Sequence, residues 1–140
     1  MTIDLLVVTP TLGKRKSVCR TIESVIGLNL GSRLLHVIVG PLDSISWIKL
    51  KYPNVIIFGE TKSGGVYTAL NEVLRSRYSE TELFCYINDD DAFLPDFRKL
   101  FEKLYRSNNL DFCYGRTIFT KNHKYHFKGS FFPFYRAYSI

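Results

Sequence analysis

Tyr86-Ile87-Asn88-Asp89-Asp90-Asp91-Ala92-Phe93 is the stretch that decides the fold. The apolar run of residues 83–87 leads straight into three consecutive aspartates. Such a run, bounded by polar residues, reads as a short buried strand. The aspartates then fall at the C-terminal end of that strand, where open α/β sheets bind their ligands. Three adjacent carboxylates repel one another and call for a cation. Hard oxygen donors of this kind suit Mg²⁺ or Mn²⁺, commonly shared with the phosphates of a substrate. A solvated acidic turn is the bland reading; the lead-in Phe84-Cys85-Tyr86-Ile87 favours the metal.

Upstream of this stretch, strands and helices alternate. Residues 3–8 form a continuous apolar run broken only by Asp4, and stop at the turn Thr9-Pro10-Thr11-Leu12-Gly13. Continuous apolar character suits a parallel strand covered on both faces. Val18, Ile22, Val25 and Ile26 recur at helical spacing. Residues 34–39 make a second strand, closed by Gly40-Pro41. Asp43 and Ser44 are expected to cap a short helix through Ile45, Ile48 and Tyr52. Residues 55–58 make a third strand, and Gly64-Gly65 opens a helix whose stripe is Val66, Ala69, Leu70, Val73 and Leu74. Downstream, Pro95 and Asp96 are expected within the first turn of a helix that buries Phe97, Leu100, Phe101, Leu104 and Tyr105. Residues 111–119 and 124–127 read as further strands with no helix between them. The expectation is an α/β, Rossmann-like domain over residues 1–140. It has a mostly parallel sheet, helices on both faces and an antiparallel C-terminal addition.

Bulk properties narrow the function. The chain has 140 residues and a net charge of +6, the size of one domain. That balance fits an anionic ligand, nucleic acid or an anionic membrane. No dense basic run supports nucleic acid; Lys14-Arg15-Lys16 reads as a solvated helix start or a phosphate contact. No run reaches the ~18 apolar residues of a membrane span, and the first residues lack the features of a signal peptide. Cys19, Cys85 and Cys113 match no zinc or disulfide spacing. They read as free thiols in a reducing cytosol. His123 and His126 read as exposed histidines, not as a ligand pair.

In a parallel sheet the C-terminal strand ends share one edge. Thr9, Thr11 and Arg15, Asp43, Gly64 and Gly65, and the aspartates should therefore converge. Hydroxyls, a guanidinium fork and backbone N–H groups at a helix start together suit a nucleotide.

With these residues assembled, the chain resembles the family-2 glycosyltransferases of the GT-A fold. The resemblance lies in Val7-Val8-Thr9-Pro10-Thr11 with Lys14-Arg15, in Gly65-Val66-Tyr67-Thr68-Ala69-Leu70-Asn71, and in the metal-binding DxD region around Asp89, Asp90 and Asp91. Asp111-Phe112-Cys113-Tyr114-Gly115 adds a fourth match. It implies a hexosyltransferase using a nucleoside-diphosphate sugar, typically UDP-linked, with Mn²⁺ or Mg²⁺ on the diphosphate. By the same resemblance Thr9, Pro10, Thr11 and Arg15 line the nucleoside site, and Gly65, Asn71 and Asp90 belong to it. Asp89 faces the ribose and shares the metal with Asp91. Two departures stand out. Gly40-Pro41-Leu42 occupies the place of the acid that reads the base, leaving Asp43 as a shifted candidate, and Thr68 stands where an aspartate is common. Family members also continue into an acceptor-binding half that holds the catalytic base, for which this chain offers no assigned residue. The alternatives are a non-catalytic nucleotide-sugar-binding module and a basic nucleic-acid-binding domain. The Phe- and Tyr-rich residues 130–140 are expected to present apolar surface to a second copy or a partner chain.

Overall fold

The computed structural model describes residues 3–77, 81–107, 109–121 and 124–136, with side chains described as far as residue 112. His123, Tyr138 and the side chains of Cys113 and His126 lie outside the described residues.

The elements follow the expected alternation. They are β1 (Ile3–Pro10), α1 (Ser17–Ile26), a 3-10 turn (Gly31–Arg33), β2 (Leu34–Gly40), α2 (Leu42–Lys51) and β3 (Ile56–Gly59). After them come α3 (Val66–Arg77), β4 (Thr81–Tyr86), α4 (Phe97–Tyr105), β5 (Phe112–Lys121) and β6 (Lys124–Arg136). The sheet order is β3-β2-β1-β4-β6-β5. The first four strands of that order are parallel, with Val8 opposite both Val37 and Tyr86. β6 runs antiparallel to β4 and to β5. Among the described residues no helix is long and apolar enough to cross a membrane.

Period-two alternation in β1 sends side chains to both faces. Leu5 and Val7 pack with Val25 of α1 and with Phe97, Phe101 and Leu104 of α4. Leu6 and Val8 pack with Ala69, Leu70 and Val73 of α3. Ile38 of β2, on the same face as Val7, meets Val18 and Ile22 of α1 and Ile45 and Ile48 of α2. Thus α1, α2 and α4 cover one face and α3 the other. The four central β1 residues are fully buried, and each contributes roughly 1.5–3 kcal/mol.

This layering has a topological consequence. From β1 the chain moves outward through β2 to β3, then returns beneath α3 to β4 on the other side of β1. Right-handed crossovers require the helix to change face when the direction reverses. The reversal lies between β1 and β4, and a crevice opens beyond their C-terminal ends.

At the other edge of the sheet Arg33 donates to Asp4 and, at 2.8 Å, to Glu102. Its guanidinium also lies 5.1 Å and 4.9 Å from the ring centroids of Phe101 and Tyr105. This pins α4 to the start of β1.

Three local expectations need correction. The N-cap of α2 is Pro41, without a side-chain cap bond, so Asp43 lies inside the first turn. The N-cap of α4 is Asp96, again without a side-chain bond, so Pro95 lies outside the helix. And the strand expected over residues 124–127 continues to Arg136, its backbone paired to β5 and to the end of β4.

Candidate functional site

The loop after β1 is held by its backbone. Thr11 N–H donates to the Val39 carbonyl at 2.9 Å, which carries the chain across the end of β2. Gly40 permits this crossing, because a Cβ there would lie 1.9 Å from the Thr11 carbonyl oxygen. Gly13 then turns the loop at φ +72°, and a Cβ there would lie 2.1 Å from the Ser44 carbonyl oxygen. Trp47 Nε1 donates to the Gly13 carbonyl at 3.3 Å. The loop is thus fixed against the first turns of α2.

The aspartate turn meets this loop directly. Ile87 N–H donates to the Val8 carbonyl at 3.0 Å, extending the β1–β4 pairing to the crevice. Thr11 Oγ1 donates to Asp89 Oδ2 at 2.6 Å and accepts from Gly13 N–H at 3.0 Å. Arg15 Nη1 donates to Asp90 Oδ2 at 2.9 Å and lies 3.9 Å from Asp89 Oδ1. Asn88 Nδ2 donates to Asp91 Oδ2 at 3.2 Å.

A second set of contacts, from α1, holds the turn from behind. The hydroxyl of the fully buried Thr21 donates to the Asp91 carbonyl at 2.6 Å and reaches the Asn88 carbonyl at 3.3 Å. Arg20 Nη2 donates to the Asp90 carbonyl at 2.6 Å. Ser24 Oγ accepts from Phe93 N–H at 3.0 Å. Sequence reasoning missed these three residues. Thr21 did leave a signal: it shares the buried face of α1 with Val18, Ile22 and Val25, and a polar residue there needs a partner.

Thr9 is placed differently from the other loop residues. It is fully buried, and its Oγ1 lies 2.9 Å from His36 Nε2 inside the sheet. Burial pushes the His36 pKa down to about 3, so the imidazole is neutral at ordinary pH. Its Nδ1 has no hydrogen-bond partner among the described residues. Pro10 is the last residue of β1.

The structure therefore brings together Thr11, Arg15, Asp89, Asp90 and Asp91, with Thr9 and Pro10 beneath them. Asp43 is exposed in the first turn of α2, Gly65 (φ +81°) precedes α3, and Asn71 is exposed on α3. None of the three hydrogen-bonds to the aspartate turn among the described residues.

Among the described residues no group of three or more His, Cys, Asp and Glu could hold a metal ion. The aspartate side chains are engaged by Thr11, Arg15 and Asn88. Mg²⁺ and Mn²⁺ are commonly bound through one or two carboxylates, the remaining positions going to phosphate oxygens and water. The turn's carboxylates are donors of that type, and the guanidinium of Arg15 already stands as a cation against them.

The fold is thus the Rossmann-like α/β fold with ligand-binding potential at the β1–β4 switch point. No protein-family model matches the chain, and no curated protein matches it. Solved structures do. One is S. aureus TarS 1–349 in complex with UDP-GlcNAc, at TM-score 0.66 and 22% identity, covering 78% of this chain and 33% of that one. Another is the mannosyltransferase PcManGT from Pyrobaculum calidifontis in complex with GDP-Man and Mn²⁺, at TM-score 0.63 and 16% identity, covering 80% and 35%. A third is 4-diphosphocytidyl-2C-methyl-D-erythritol synthase from Anaerococcus prevotii, at TM-score 0.62 and 12% identity, covering 96% and 70%. At these identities the likeness is one of fold, that of GT-A proteins. The chain spans about a third of the length of TarS 1–349 and of PcManGT.

Proposed function

We propose that this chain is the nucleotide-sugar-binding unit of a metal-dependent glycosyltransferase, with a UDP-linked hexose as donor. The observation that carries the reading is the meeting of the β1 loop and the aspartate turn at the switch point, through the Thr11–Asp89 and Arg15–Asp90 contacts. It supplies hydroxyl, guanidinium and carboxylate groups side by side, the set a ribose and a diphosphate require. Solved neighbours with UDP-GlcNAc and with GDP-Man and Mn²⁺ support the same ligand class.

In this reading Asp89 and Asp91 hold Mn²⁺ or Mg²⁺, which supplies Lewis-acid stabilisation to the departing diphosphate. Arg15 contacts a phosphate. Thr11 orients Asp89 toward the ribose, and Pro10 shapes the floor. Asp43, Gly65 and Asn71 complete the nucleoside side of the crevice. Calorimetric titration with UDP, in the presence and absence of Mn²⁺, tests the reading, with GDP and a single-stranded oligonucleotide as competitors. Saturable, Mn²⁺-dependent binding of UDP is expected. Preference for the oligonucleotide, or no nucleotide binding at all, would overturn it. A donor-turnover assay then separates an enzyme from a binding module.

A further inference from the structure

Arg15 occupies an unusual place in this crevice. Asp89 is the more buried of its two partners, 16% exposed against 53% for Asp90, while the Arg15 side chain is 66% exposed. Among the described residues its guanidinium bonds to no other group. An ion pair this open is weak and exchanges readily with water and ions. A divalent cation drawn to Asp89 and Asp91 would share Asp89 with Arg15, stand beside the Arg15–Asp90 pair and repel the guanidinium. A diphosphate, by contrast, offers it a bidentate partner better matched than two splayed aspartates.

We propose that Arg15 is an exchangeable counter-ion: it neutralises Asp89 and Asp90 in the free protein and transfers to the diphosphate when a divalent cation takes its place. The inference rests on the nucleotide and metal reading above. It makes metal and nucleotide binding cooperative, because each ligand removes an obstacle to the other, and such coupling is reciprocal. It also gives one side chain opposite effects on two ligands. Arg15 should oppose Mn²⁺ alone and favour UDP with Mn²⁺. A residue serving only to attract phosphate would leave the metal-only affinity without such a gain on its removal.

The test is titration with Mn²⁺, followed by the electron paramagnetic resonance signal of the free ion, with and without UDP. Wild type, Arg15→Gln and Arg15→Lys are compared, with thermal melting as the control for folding. Arg15→Gln is expected to bind Mn²⁺ alone about two- to fivefold more tightly, the scale of one exposed ion pair. The same variant should bind UDP with Mn²⁺ about tenfold or more weakly, the scale of a lost charged hydrogen bond. Arg15→Lys should resemble wild type toward Mn²⁺ alone yet still lose UDP affinity. If Arg15→Gln leaves Mn²⁺ affinity unchanged or lower, or leaves UDP affinity intact, the exchange is overturned while the ligand assignment stands. Failure of the wild type to bind UDP with Mn²⁺ overturns the assignment, and the exchange with it.

Discussion

Thr11 and Asp89 are separated by 78 residues and joined by a 2.6 Å hydrogen bond. That single contact fixes the carboxylate on which the proposed ribose and metal roles depend. Asp91 is the cleaner place to test the metal, because among the described residues its carboxylate bonds only to Asn88, whereas Asp89 is tied to Thr11 and faces Arg15. Asp91→Asn keeps the size and removes the charge. Metal-dependent UDP affinity should fall at least about tenfold, the scale of a charged interaction lost, with no drop in melting temperature. Unchanged affinity in calorimetry would remove Asp91 from the metal site. His36 makes a separate prediction. Its native pKa is depressed from 6.5 to about 3 by burial. Between those values the unfolded chain binds a proton that the native state refuses, so stability rises with pH across that window. Acidification from pH 6.5 should therefore cost up to about 1.4 kcal/mol per pH unit from this group. Urea unfolding at pH 4 to 7 should show a shallower slope for His36→Gln than for wild type. Equal slopes would assign the acid sensitivity to other groups.

Helix α1 does more than cover the sheet. Its residues Arg20, Thr21 and Ser24 brace the aspartate turn along the backbone. Thr21→Val keeps the shape but takes the hydroxyl donor from the Asp91 carbonyl, while the Asn88 carbonyl keeps the Asp91 N–H; the cost is about 1–3 kcal/mol. The urea midpoint should fall, and metal-dependent UDP affinity should fall with it; Thr21→Ser should restore both. A stability loss with full affinity would make Thr21 a structural residue alone. This brace shows where the sequence stops being legible. The buried apolar runs of β1, β2 and β4, and the stripe of α4 at Phe97, Phe101 and Leu104, declare themselves by period. A hydroxyl aimed at a carbonyl some seventy residues away carries no local pattern. Caps fail for a related reason: Asp43 has the right chemistry, but Pro41 fixes where α2 begins. The strand pattern of β6 breaks off after residue 127, because Gly129, Ser130 and Pro133 interrupt it. Its partner strand decides the matter, with Tyr114 opposite Pro133 and Gly115 opposite Phe132. Proline is tolerated there because β4 reaches β6 only at Tyr135 and Arg136.

At the scale of the whole molecule, the proposed UDP-sugar site raises the matter of transfer against binding alone. Transfer by inversion needs a carboxylate to take the acceptor's proton. Most described acids are engaged elsewhere. Asp4 and Glu102 hold Arg33 at the far edge of the sheet. Glu23 accepts from Tyr52, Glu72 from Thr61, and Asp96 pairs with Lys99. Asp89, Asp90 and Asp91 form the turn itself. Asp43 and Glu60 stand on the same sheet edge as the crevice, just past the ends of β2 and β3, but neither contacts the turn among the described residues. We therefore expect the 140-residue chain to bind a UDP-sugar and to consume it slowly, by hydrolysis. Efficient transfer would need a base that none of the described acids at the crevice is placed to supply. The measurement is donor consumption over a panel of sugar acceptors, at a protein concentration where the oligomeric state has been determined by light scattering. Slow, acceptor-independent release of UDP is the expected result. Rapid, acceptor-dependent transfer by a monomer would overturn this expectation. Glu60→Gln would then be the variant to assay, and loss of turnover with UDP affinity retained would identify the base.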